Sequence, residues 1–118
     1  KVGDGEDIPY SIDENGHADI PAGTMYIKEE AFLNCSKLIS VTIPDSVREI
    51  RSLAFGGCKS LASVEISSSG SLLIRNRAFA GCTSLTDVVF KDKPLKVIAK
   101  NAFEGCPCEE EVKKLPML

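Results

Sequence analysis

Four cysteines, Cys35, Cys58, Cys82 and Cys106, lie 23, 24 and 24 residues apart, and the residues around them recur at the same spacing. The pairs Ala31-Phe32, Ala54-Phe55, Ala78-Phe79 and Ala102-Phe103 each end three residues before a cysteine. Five residues before each phenylalanine stand Ile27, Ile50, Ile74 and Ile98. Behind the first three cysteines come Leu38, Leu61 and Leu85, then Val41, Val64 and Val88, then Ile43, Ile66 and Phe90. A unit this short cannot bury its own apolar columns, so successive units must stack on one another. That restricts the chain to a solenoid.

Within the unit, Leu38 to Ile43, Leu61 to Ile66 and Leu85 to Phe90 read Leu-x-x-Val-x-apolar. The alternation at their ends is the period of two of a strand. One short strand per turn, stacked turn upon turn, makes a parallel sheet. Pro44 ends the first of these strands because it has no N–H for the next ladder bond. On the return arm, the Ala-Phe pair is expected to form a short helical turn closed by a residue in the left-handed region. Gly57, Gly81 and Gly105 occupy that position at least steric cost, and Asn34, the next most tolerant residue type, takes it in the first turn.

Both ends depart from the repeat, as solenoid caps do. Ile8-Pro9 and Ile20-Pro21 echo Ile43-Pro44 but are only 12 residues apart, with Asn15-Gly16 between them. Asn-Gly between short strands signals a hairpin, so Tyr10 to Asp13 is expected to pair with His17 to Ile20, the second strand joining the sheet. After Cys106 the leucine column holds Glu109, and the strand pattern fails. Pro107 suits a first helical turn, Glu109 to Glu111 suit its positive end, Lys113 and Lys114 its negative end, and Pro116 stops it. The expected organisation is one domain over residues 1–118: a cap at 1–22, repeats at 23–106 and a cap at 107–118. About four turns exceed the three needed for stability, and with a cap at each end the expected unit is one that folds by itself, alone or as one domain of a longer protein.

Composition narrows the chemistry. A net charge of −3 and a pI near 5.2 argue against nucleic acid as the main partner. No run of apolar residues is long enough to span a membrane, and the start Lys1-Val2-Gly3-Asp4 has no signal-peptide character. The five cysteines might suggest disulfides. Yet side chains in register on neighbouring strands, about 4.8 Å apart, point the same way instead of at each other, so buried free thiols are expected. Cys106-Pro107-Cys108 resembles half a zinc site, but a second ligand pair is missing and His17 belongs to the opposite cap, roughly 20 Å away by strand spacing. No metal and no cofactor are expected. Cys108, outside the column, is the one candidate for a reactive thiol, open to oxidation or dimerisation.

Two further motifs dissolve into the repeat. Gly56-Gly57-Cys58-Lys59-Ser60 lacks the first glycine and the Gly-Lys-Ser triplet of a phosphate loop, and its next copy reads Ala80-Gly81-Cys82-Thr83-Ser84. Asn34-Cys35-Ser36 is formally a glycosylation sequon, but its asparagine sits in the tight-turn column. His17 is the single histidine, and with no serine or cysteine expected beside it the chain has no catalytic constellation.

The frame Leu-x-x-Val-x-Ile-Pro-x-x-Val-x-x-Ile-x-x-x-Ala-Phe-x-Gly-Cys, as in Leu38 to Cys58, resembles the BspA-type leucine-rich repeat of bacterial surface proteins and some parasitic protists. The resemblance covers roughly residues 20 to 115. It implies a right-handed horseshoe or slab with strands on one face, a role in adhesion or protein binding, and an extracellular or cell-surface location. The fold expected is an α/β leucine-rich-repeat solenoid, with one short parallel strand per 23–24-residue turn, an N-terminal β-hairpin cap and a short C-terminal capping helix.

Strand residues between the apolar columns face outward. They form one row of His17, Ser40, Ser63 and Asp87 and another of Asp19, Thr42, Glu65 and Val89, the candidate face for a protein or glycan partner. A second candidate is a basic stripe of Lys28, Arg51 and Arg75 on the return arm, with Arg48, Arg77, Lys96 and Lys100 nearby and Glu29, Glu30 and Glu49 interleaved. The functions to be separated are a noncatalytic, monomeric interaction module and a structural spacer without a ligand of its own.

Overall fold

The computed structural model describes residues 10–92 and 95–114. Eight strands follow one another: β1 (His17–Asp19), β2 (Tyr26–Ile27), β3 (Ser40–Ile43), β4 (Glu49–Ile50), β5 (Ser63–Ile66), β6 (Ser71–Ile74), β7 (Asp87–Phe90) and β8 (Leu95–Ile98). A single helix, α1 (Glu109–Lys113), ends the described chain. The odd strands form a parallel sheet in the order β1-β3-β5-β7, and the even strands form a second parallel sheet in the order β2-β4-β6-β8. The repeated leucine-valine-isoleucine segments are the strands of the first sheet, in the register that the columns imply: Val41 pairs with Val64 and Val64 with Val88.

The expectation of one strand per turn is corrected to two. The repeated isoleucines Ile27, Ile50, Ile74 and Ile98 each close a strand of the second sheet, which the sequence reading placed on a plain return arm. Two of these strands are only two residues long, too short for an alternation of period two to show.

The remaining side of each turn carries the Ala-Phe pair. It is a tight turn with bonds such as Ala31 N–H to Lys28 O and Cys35 N–H to Phe32 O. Adjacent turns are also laddered here: Phe55 N–H donates to Ala78 O and Gly57 N–H to Ala80 O, both at 2.8 Å. In the first three turns the backbone takes the left-handed conformation at both ends, and in the fourth only at Gly105. Asn34, Gly57, Gly81 and Gly105 supply it on the cysteine side, with φ between 58° and 82°. On the other side Glu30, Leu53 and Arg77 adopt φ near 60°, a strained choice for side-chain-bearing residues that the sequence does not announce.

The core is built mainly from the repeated columns, with Val88, Phe90 and Ile98 only partly buried and Leu72, Cys108 and Val112 added to it. Phe32, Phe55, Phe79 and Phe103 stack with centroids 4.8–5.0 Å apart and ring planes within 8° of parallel. That separation is the interstrand spacing of a sheet, so the backbone ladder sets the ring stack. Tyr10 extends the column at its first end, 5.5 Å from Phe32.

The N-terminal hairpin is shorter than expected. It consists of one antiparallel bridge, Ile12 to Ala18, and a bond from Asp13 N–H to His17 O. Tyr10 packs its ring on the core instead of pairing as a strand residue. Gly16 turns the chain with φ +79°, and a Cβ there would meet Ile39 and the Lys37 carbonyl at under 3 Å. Strand β1 then joins the first sheet beside β3. At the other end, Cys108 N–H donates to Leu85 O where the next strand would have begun, and α1 follows with Glu109, Glu110 and Glu111 in its first turn and Lys113 in its last. Pro107 lies before this helix, not inside it. Ile8, Pro9 and the expected stop at Pro116 fall outside the described residues.

Candidate interaction surface

The register of the first sheet sets the eight outward residues in two straight rows. His17 pairs with Ser40, Ser40 with Ser63, and Ser63 with Asp87, while Asp19, Thr42, Glu65 and Val89 pair in the same sequence two residues further along each strand. Their inward neighbours Ala18, Val41, Val64, Ile43 and Ile66 are buried, which fixes the direction of the outward set because strand side chains alternate.

Chemically the face has two halves. At its N-terminal end His17 Nδ1 lies 2.6 Å from Ser40 Oγ, and Nε2 lies 3.1 Å from both Asp19 Oδ1 and Thr42 Oγ1. Four side chains from two strands thus form one polar cluster. The expectation that no serine stands beside the histidine is corrected here: parallel register puts Ser40 directly across from it. Asp13 braces the approach, accepting from the N–H groups of Asn15 and His17. Those bonds hold its carboxyl below the ordinary carboxylate value. Towards the C-terminal end Glu65 pairs with Lys91 at 3.2 Å, and Val89 is an exposed apolar residue next to Glu65.

The second candidate lies on the other sheet. Arg51 and Arg75 both reach Glu49, through Nε–Oε1 at 3.2 Å and Nε–Oε2 at 2.5 Å. The Arg75 guanidinium, with Arg51 beside it, holds the Glu49 carboxyl below its usual value against the opposing effect of burial. Arg51 also lies over the Tyr26 ring, 3.8 Å from its centroid. Lys28 is exposed next to the edge strand β2. Around these arginines is a shallow mixed-charge depression of about 300 Å³ lined by Glu29, Glu49, Arg51, Ser52 and Arg75. Lys96, counted with the basic residues near this stripe, instead takes the inward position beside Leu72, is only 7% exposed, and lies 5.0 Å from the Phe90 ring centroid.

All five cysteines are free and buried. The column has a function that its spacing did not reveal: Cys58, Cys82 and Cys106 place Sγ 2.9–3.0 Å from the carbonyl oxygens of Phe32, Phe55 and Phe79, one turn back. Serines do similar work at a corner, where Ser46 Oγ donates to Thr24 O and Ser68 Oγ to Val47 O. Cys108, the candidate reactive thiol, is 3% exposed. Its hydrogen bond to Cys106 and its burial both raise its pKa, so it is corrected to a packed, protonated core residue. No group of three or more potential metal ligands occurs among the described residues. Among these residues, no helix is long and apolar enough to cross a membrane.

The family model for the BspA type leucine rich repeat region matches the chain in six copies over residues 11–114. No curated protein and no solved structure matches it. The match takes in both sheets, the Ala-Phe turns and the capping helix, and with it the chain belongs to the BspA-type leucine-rich repeat family.

Proposed function

We propose that this chain is a noncatalytic interaction module at the cell surface or outside the cell, and that the outer face of the first sheet binds a protein or glycan partner. The observation that carries the reading is the straight double row from His17 and Asp19 to Asp87 and Val89, held in register by four paired strands. A rigid face of hydroxyls, carboxylates and one imidazole offers many hydrogen bonds without ordering cost, which suits a broad polar contact better than a deep apolar pocket. The stripe of Lys28, Arg51 and Arg75 is the weaker candidate because two of its three cations are already engaged with Glu49.

Binding of the purified chain to arrayed host-surface proteins and glycans tests the reading. The triple change Asp19→Ala, Glu65→Ala, Asp87→Ala is expected to abolish capture while leaving the unfolding midpoint nearly unchanged, since Asp19 and Asp87 are exposed and the half-exposed Glu65 loses only its surface pair with Lys91. Capture that persists in the triple variant and disappears with Arg51→Ala plus Arg75→Ala transfers the site to the second sheet. A chain that captures nothing is a spacer.

A further inference from the structure

The His17 cluster contains more than a polar contact surface needs. Placing the imidazole proton on Nε2 lets it donate to the Asp19 carboxylate oxygen Oδ1 at 3.1 Å. Nδ1 then presents its lone pair to Ser40 Oγ at 2.6 Å, and Ser40 donates its hydroxyl proton to it. A hydroxyl, a base that receives its proton and a carboxylate that orients the base are the parts of an activated serine nucleophile. Thr42 Oγ1, 3.1 Å from Nε2, further fixes the ring. The His17 side chain is 30% exposed, so the cluster opens to solvent on the outer face.

We infer that Ser40 is an activated nucleophile that accepts an acyl group from small activated carboxylic esters. Ser40 Oγ attacks the ester carbonyl carbon while its proton passes to His17 Nδ1. The ester C–O bond then breaks, and the departing oxygen takes that proton from the imidazolium. The products are acyl-Ser40 and the free alcohol or phenol, and no other reactant is needed. The Ser40 N–H is already engaged with Gly16 O, so it does not assist the developing oxyanion. The serine ester also has a poorer leaving group than the activated donor. The outcome is therefore one acylation per chain instead of turnover, and it stands independently of any partner bound by the sheet face.

Ser63 provides an internal control, one rung further on the same row with no imidazole across from it. The folded chain is treated with p-nitrophenyl acetate and its peptides are mapped by mass spectrometry. Ser40 is expected to be acetylated at least about a hundredfold faster than Ser63, the low end of what a positioned general base supplies. His17→Gln should bring Ser40 down to the Ser63 rate. Carbethoxylation of His17, the single histidine, by diethylpyrocarbonate should do the same in the unsubstituted chain, which removes any ambiguity from misfolding. Equal rates at Ser40 and Ser63, or labelling of Ser40 that survives loss or blocking of His17, overturns the inference.

Discussion

The thiol of Cys82 donates to the backbone oxygen of Phe55, 3.0 Å away and one full turn earlier in the solenoid. The same oxygen accepts the Cys58 N–H at 3.4 Å. A carbonyl has two lone pairs, and the repeated cysteine fills the one that the local turn leaves weakly satisfied. Cysteine suits this position because it is small, apolar enough to be buried beside Phe79, and still a donor.

Replacing Cys82 with alanine removes both the donor and buried volume. A loss of about 1–2 kcal/mol is expected, read as a lower urea midpoint with an unchanged slope. A midpoint within error of the parent chain would show that the sulfur only fills space that its neighbours can reclaim.

The burial of all five thiols predicts their reactivity. Ellman's reagent should label none of them quickly in the native state and five per chain in denaturant. One fast equivalent mapping to Cys108 would mean that the C-terminal cap opens readily.

Gly57 and Gly81 share a left-handed backbone but differ in surroundings. A Cβ on Gly81 meets nothing nearer than 3.7 Å, so Gly81→Ala should cost only the conformational penalty of about 1–2 kcal/mol. A Cβ on Gly57 collides with Asn34 Oδ1 of the preceding turn, so Gly57→Ala should cost more. The excess should vanish in an Asn34→Gly background. Equal costs for the two alanines would show that Asn34 swings away freely.

Glu49 links stability to acid. Its folded-state pKa is depressed below the ordinary 4.5, chiefly by Arg75, so the native state binds the proton less readily than the unfolded chain. The contribution is complete above about pH 4.5 and is lost as pH falls through the lower folded value. Stability measured from pH 7 to pH 3 should therefore fall less steeply in Glu49→Gln than in the parent chain. Parallel curves would mean that solvent screens the arginines.

Much of the first sheet was legible because a solenoid is nearly one-dimensional: the neighbour of each residue lies one repeat away. Counting 23 or 24 residues from His17 reaches Ser40, Ser63 and Asp87, and those are the residues the register joins. The second sheet was not legible because β2 and β4 have two residues each, and Lys96 in an inward column disguises β8. The contact of His17 with Ser40 was implied by the row itself. It needed side-chain rotamers to become a hydrogen bond.

The sequence by itself determined the stacking interval, most residues of the core, the outward rows and the left-handed positions at Asn34 and the three glycines. Each follows from periodic hydrophobicity or from the sterics of a single residue. Only the tertiary structure decided that each turn carries two strands, that Glu49 joins Arg51 to Arg75, that Lys96 and Cys108 are covered, and that the cysteines bond to the turn behind them. These depend on how one turn meets the next in three dimensions, where distance and direction, not spacing along the chain, decide which groups touch.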